Sequence, residues 1–375
     1  MPPRYIGLLV SVRVFDYLHN TGNKDNYLKD NDAFRKIVRA ALRDEMYTER
    51  DYNVTTANNV VLRMKNLKRN ASEMYLLYLN SSTDIGMPVV MAGGLWSDIT
   101  AWGDLGSELA SDGRDVWLIE ITGGPGQDCD GCINYNYSDL TDDFWPALIG
   151  GVEGYTNKGK IQYVAHSNGC RTALDSLSNW SNSGKGNTGA IIKNGVGTAV
   201  SLSPNPVDTF VGVACPGAFR ELSYFAKQLN DSGEIAIRRL EEDRKSHIKI
   251  GELSHKMESS LGEVIGISGF FENPKISLNL FQSYNNWIIS EYDNQPGANI
   301  NPSYFTLIYG TKGFFSRDSD DSIVPIEDEI EIFNNVNAEN KAITSVNRRH
   351  TNMVEDKTVQ KEVKRSLNKE IYSTS

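Results

Sequence analysis

The chain has 375 residues, 39% of them hydrophobic and 23% charged, a globular balance that excludes a disordered or collagen-like polypeptide. Its 38 basic and 48 acidic side chains leave a formal net charge of −10, which argues against a phosphate-binding surface and so against nucleic acid as a partner. No apolar run approaches the roughly 18 residues that a spanning helix needs, so no transmembrane segment is expected. The interrupted stretch 5–14 lacks a signal-peptide cleavage pattern, and the compartment stays open.

Residues 1–85 carry the weakest pattern. The β-branched stretch 5–14 predicts a strand, Asn31 or Asp32 can cap a helix over 33–43, and 59–64 and 74–79 have the composition of short strands. They read as a small α+β extension of unclear role. From Pro88 the grammar changes to short apolar runs, Gly-rich turns and helical spacing, the rhythm of β-α units around a mostly parallel sheet. Strands are predicted at 88–92, 115–121, 161–166, 209–214 and 304–309, and helices at 102–111, 140–155, 169–180 and 354–367. A Gly-rich loop fills 123–139, and the Gly/Ser/Asn-rich stretch 181–198 reads as a surface loop. Residues 218–300 break the rhythm. Phe219, Leu222 and Phe225 keep helical spacing there, and Phe270, Phe271 and Phe281 add apolar bulk, as expected of a helical cap over a substrate or of ordinary helical packing. The expected core is therefore 86–217 with 301–375, interrupted by a cap at 218–300.

Four cysteines are present. Cys129 and Cys132 form a CxxC in a loop, with no second half for a zinc site and no helix start for a redox motif, which leaves a local disulfide or plain thiols. Cys170 and Cys215 stand isolated. Six Asn-x-Ser/Thr sequons, at Asn53, Asn70, Asn80, Asn136, Asn179 and Asn230, match the chance frequency in a chain this rich in Asn, Ser and Thr, and decide nothing. No metal or cofactor is called for.

The informative stretch is Val164-Ala165-His166-Ser167-Asn168-Gly169. A serine between a buried strand and a helix is lifted clear of the sheet on a sharp turn, and small residues two before and two after it let strand and helix approach. Ala165 stands where the usual G-x-S-x-G pattern has its first glycine. A nucleophilic serine needs a base and an orienting acid. Of the five histidines, His19 precedes the organised region, His166 adjoins the serine and should point away from it, and His247 and His255 fall in the charged insert. Only His350, ahead of the last helix, follows the last strands.

In these features the chain resembles the α/β-hydrolase family, and among its members the lipases and carboxylesterases. The resemblance covers roughly 88–367 outside the presumed cap and rests on the serine turn, on Val89-Val90-Met91-Ala92-Gly93-Gly94-Leu95, on Asp321-Ser322-Ile323-Val324-Pro325 and on the His350 loop. It implies a Ser167, Asp321, His350 triad, with Asp320 a neighbouring candidate for the acid, and an oxyanion hole from the backbone N–H groups of Leu95 and Asn168. The cluster of Asp318, Asp320 and Asp321 has two other readings, a solvated turn or a calcium site. The implied activity is hydrolysis of a small-molecule or lipid carboxylic ester through an acyl-enzyme. Acyltransferase or thioesterase chemistry on the same triad is the alternative, as is a non-catalytic, hydrolase-like binding module at a cell surface.

Overall fold

The structure is a computed structural model and describes residues 47–56, 60–69, 86–94, 97, 99–121, 137–183, 190–192, 198–199, 205–217, 247–249, 275–277, 295–312, 321 and 323–372. In chain order the elements are β1 (Tyr47–Thr56), β2 (Val61–Arg69), β3 (Val89–Ala92), α1 (Gly103–Ser111) and β4 (Val116–Ile119). A π-helical turn (Asp139–Phe144) leads into α2 (Trp145–Thr156), followed by β5 (Ile161–His166), α3 (Asn168–Ser183), β6 (Ala190–Ile192), β7 (Thr198–Ala199) and β8 (Val207–Val213). After β9 (His247–Lys249) and β10 (Lys275–Ser277) come β11 (Tyr304–Gly310), α4 (Ile326–Asn335), β12 (Asn340–Val346) and α5 (Lys357–Leu367).

Among the described residues ten strands form one sheet, in the order β12-β11-β8-β5-β3-β4-β2-β1-β6-β7. The six from β12 to β4 run parallel, and β2, β1, β6 and β7 continue antiparallel. Parallel strands joined by helical crossovers have both faces covered, so their sequences read as unbroken apolar runs. Every residue of β3, β4 and β5 is buried. Successive side chains alternate between two cores. On one face Val90, Trp117, Tyr163, Phe210 and Phe305 meet Leu148 of α2, Leu174 of α3 and Ile332 of α4. On the other, Met91, Leu118, Val164 and Val211 meet Leu105 and Leu109 of α1 and Val359 and Val363 of α5. The last helix starts cleanly because Asp356 Oδ1 accepts hydrogen bonds from the Thr358 and Val359 N–H groups.

Three expectations are corrected. The β1–β2 hairpin pairs in register with β4, so the sheet reaches back across the boundary placed after residue 85. The stretch read as a surface loop at 181–198 contains the end of α3 and two short strands, β6 and β7, which extend the sheet edge from β1. Cys170 and Cys215, read as isolated, are joined in a disulfide spanning 45 residues of sequence, and both are fully buried. The expected strands at 5–14 and 74–79, the helix at 33–43 and the CxxC lie outside the described residues. So does most of 218–300, where the described strands β9 and β10 pair antiparallel.

A crosslink of this span restricts the unfolded chain. Replacing both Cys170 and Cys215 by alanine is expected to remove about 2–4 kcal/mol of stability, read as a lower urea midpoint. An unchanged midpoint would mean that the bond is not formed in the folded protein.

Candidate active site

The parallel strands deliver their loops to one end of the sheet, and Ser167, Asp321 and His350 meet there. β5 runs directly into Ser167, whose φ of +51° lies in the left-handed region that side-chain-bearing residues seldom enter. α3 begins at the next residue, Asn168. The reversal is tight enough to exclude a Cβ at Gly169, which would stand 2.3 Å from the Gly93 carbonyl oxygen. Gly94 is confined less severely: a Cβ there would lie 3.0 Å from His166 Nδ1 and 3.1 Å from Ser167 Cβ. The turn is fastened from several sides. Ser167 N–H donates to the Val213 carbonyl (2.9 Å), the Tyr163 hydroxyl to the Gly169 carbonyl (2.9 Å), and Trp102 Nε1 to the Ala92 carbonyl (2.8 Å).

Ser167 Oγ lies 2.8 Å from His350 Nε2, and His350 Nδ1 lies 2.7 Å from Asp321 Oδ2. A carboxylate accepts, so Nδ1 carries the hydrogen and Nε2 presents its lone pair to the serine hydroxyl. Asp321 Oδ1 is occupied separately, accepting from the Ile323 (3.0 Å) and Val324 (2.7 Å) N–H groups. Its main-chain oxygen accepts from the His350 N–H at 2.8 Å. Asp321 and His350 are both buried. Such an arrangement can take a proton from the serine hydroxyl and hold the resulting imidazolium against a fixed carboxylate.

The other predicted positions fall as follows. Asn168 sits buried directly after the serine, at the start of α3. Leu95, Asp318 and Asp320 lie outside the described residues. Among the described residues no group of acidic, His or Cys side chains could hold a metal ion, and no helix is long and apolar enough to cross a membrane.

Two features here escaped sequence reading. His166, expected to point away, turns its Nε2 to the His350 carbonyl at 3.0 Å, with the two rings 4.8 Å apart. Burial first, and then the neighbouring His350, hold its pKa well below the ordinary histidine value, so it stays neutral. Glu329 of α4 is also buried. Burial, followed by the charges of Asp321 and Asp328, pushes its carboxyl well above the ordinary range, against the pull of a hydrogen bond from the Cys215 backbone. Its proton is therefore held more tightly than that of an ordinary carboxyl. No local sequence signal marks either residue, because the His166 contact with His350 spans 184 residues and the Glu329 shift comes first from burial, which the tertiary fold creates.

No protein-family model matches the sequence, and no curated protein matches it. Solved structures do. The DcsB structure in complex with a substrate analogue aligns with a TM-score of 0.54 at 11% identity, covering 87% of this chain and all of that one. A monoglyceride lipase from Saccharomyces cerevisiae aligns at 0.52 and 12%, covering 83% and 91%. The 2-hydroxy-6-oxo-6-phenylhexa-2,4-dienoate hydrolase from a Rhodococcus strain aligns at 0.51 and 12%, covering 86% and 100%. With its mostly parallel sheet, flanking helices and serine-bearing turn after β5, the chain has the α/β-hydrolase fold.

Two predictions follow from this packing. Gly169→Ala should cost about 1–3 kcal/mol by forcing β3 and α3 apart, seen as a reduced melting temperature; an unperturbed melt would show that the contact yields freely. Glu329→Gln should match the wild type in acid and gain on it as pH rises. The native state holds the Glu329 proton more tightly than the unfolded chain, so wild-type stability falls above roughly pH 4.5, the ordinary carboxyl value, until the raised native value is reached. Urea midpoints of the two proteins from pH 5 to 8 test this, and a constant difference would exclude a protonated Glu329.

Proposed function

We propose that the protein is a serine hydrolase that cleaves carboxylic esters through an acyl-enzyme. The observation that carries this reading is the unbroken hydrogen-bonded relay from Ser167 Oγ through His350 to Asp321, mounted on a strained strand-to-helix turn. His350 Nε2 removes the serine proton as Oγ attacks the ester carbonyl carbon, and Asp321 keeps the imidazole in the tautomer that can accept it. The negative charge that develops on the carbonyl oxygen needs donors already in place. Asn168 N–H, at the opening of α3, and Leu95 N–H, following the confined Gly94, are assigned that role. His350 then returns the proton to the alcohol leaving group. Water, deprotonated by the same imidazole, releases the acid and restores Ser167.

The substrate class is a small-molecule or lipid ester. The likeness to a monoglyceride lipase supports it, as do the bulky apolar residues that the sequence carries between 218 and 300. The scheme calls on no cofactor.

The test is hydrolysis of one short-chain and one long-chain p-nitrophenyl ester, with parallel labelling by a fluorophosphonate. Ser167→Ala is expected to lower kcat by about 10³-fold or more and to abolish labelling, and the adduct on the wild type should map to Ser167. His350→Ala should fall nearly as far. Equal turnover of wild type and Ser167→Ala, with no adduct, would reject a serine hydrolase.

A further inference from the structure

His166 has no part in the acyl-transfer scheme, yet its place on the last position of β5 is costly. A buried imidazole without hydrogen bonds is destabilising, and an apolar side chain would fill the strand position equally well. What an apolar side chain lacks is a donor. The partner of His166 Nε2 is the His350 carbonyl oxygen, 3.0 Å away, and a carbonyl only accepts. Nε2 therefore carries the hydrogen, and Nδ1 is the bare nitrogen on the side of Gly94, where even a methyl would stand 3.0 Å from it.

The backbone of His350 is thereby held on both sides of its Cα. Its N–H donates to the Asp321 main-chain oxygen at 2.8 Å, and its C=O accepts from His166. A histidine fixed at both flanking peptide groups keeps only its side-chain torsions, and those are set by Asp321 Oδ2. Charge adds a second requirement. With ring centres 4.8 Å apart, a cationic neighbour would oppose formation of the His350 imidazolium, whereas a neutral imidazole donates its hydrogen bond without that repulsion.

Resting on the serine-hydrolase reading above, we infer that His166 is a positioning residue, whose Nε2–H clamps the His350 carbonyl and so keeps His350 Nε2 within reach of Ser167 Oγ. The relation is one of register as well as distance, since His166 and Ser167 are consecutive: the strand that aims the serine also aims the group that holds its base.

The experiment compares His166→Gln, whose amide nitrogen can take the place of Nε2, with His166→Leu, which fills the space without a donor. Kinetics on a p-nitrophenyl ester should show a fall in kcat of about 10- to 100-fold for the Leu variant with KM within about threefold, and recovery to within about threefold of wild type for Gln. The low-field proton resonance of the His350 Nδ1–H should persist in wild type and Gln and broaden in Leu. Wild-type kcat and resonance in the Leu variant would overturn the inference, and so would a Gln variant as impaired as Leu. Should the Leu variant not fold, His166→Asn, whose amide falls short of the carbonyl, gives the same contrast with Gln. Loss of the serine-hydrolase reading is distinguishable: turnover would then be insensitive to Ser167→Ala, while the resonance would still decide whether His166 holds His350.

Discussion

The structure depends on a reversal of the chain at one residue. Between β5 and α3 the backbone must change direction within Ser167, and it does so at a φ of +51°, where a side-chain-bearing residue is destabilised by about 1–3 kcal/mol. That strain persists only if the surroundings over-determine it. Gly169 sits against the Gly93 carbonyl, the Ser167 N–H is tied to β8, and the Tyr163 hydroxyl holds the first turn of α3. The Cys170–Cys215 bond joins that same turn covalently to the end of β8. Each fastening comes from an element packed in one of the two cores, so the local strain is carried by the sheet as a whole.

Electrostatic economy follows from the same burial. Three acidic side chains, Asp321, Asp328 and Glu329, are enclosed near the loop that meets His350. Each is treated differently. Asp321 is surrounded by donors from Ile323, Val324 and His350, and Asp328 receives the Gly217 N–H at 3.2 Å. Glu329 Oε2 has no hydrogen-bond partner among the described residues, and burial raises that carboxyl well above the ordinary range. On the opposite flank desolvation likewise holds the His166 pKa well below the ordinary histidine value.

Legibility in the sequence tracked burial. The central strands 161–166 and 304–309 and the helices at 102–111 and 354–367 were readable because elements enclosed on both faces, or carrying a continuous apolar stripe, leave a strong pattern. β1 escaped because most of its first half is exposed, and Tyr-Thr-Glu-Arg-Asp-Tyr offers no apolar alternation. α4 and β12 escaped for related reasons. The helix begins with the acidic run Glu327, Asp328, Glu329, two of which are buried by tertiary context, and the half-exposed edge strand buries only its last residue. Ser167 and His350 stood out by their order and their places after strands, whereas Asp321, with Asp320 as a neighbouring candidate, came only from the resemblance to the α/β-hydrolase family. The disulfide was not legible, since Cys170 and Cys215 lie 45 residues apart with no local spacing that would pair them.

Parallel topology explains why this convergence and the crosslink belong to one arrangement. In a parallel sheet every strand ends at the same edge, so β5, β11 and β12 bring Ser167, Asp321 and His350 together although the chain between them is long and varied. β8 lies between β5 and β11 in that sheet, and its end therefore falls between the serine turn and the segment that carries the acid. Cys215 is placed there, bonded back to α3 and donating its backbone N–H to Glu329. The distance between serine and acid is thus set across a strand whose own end is tied to both sides.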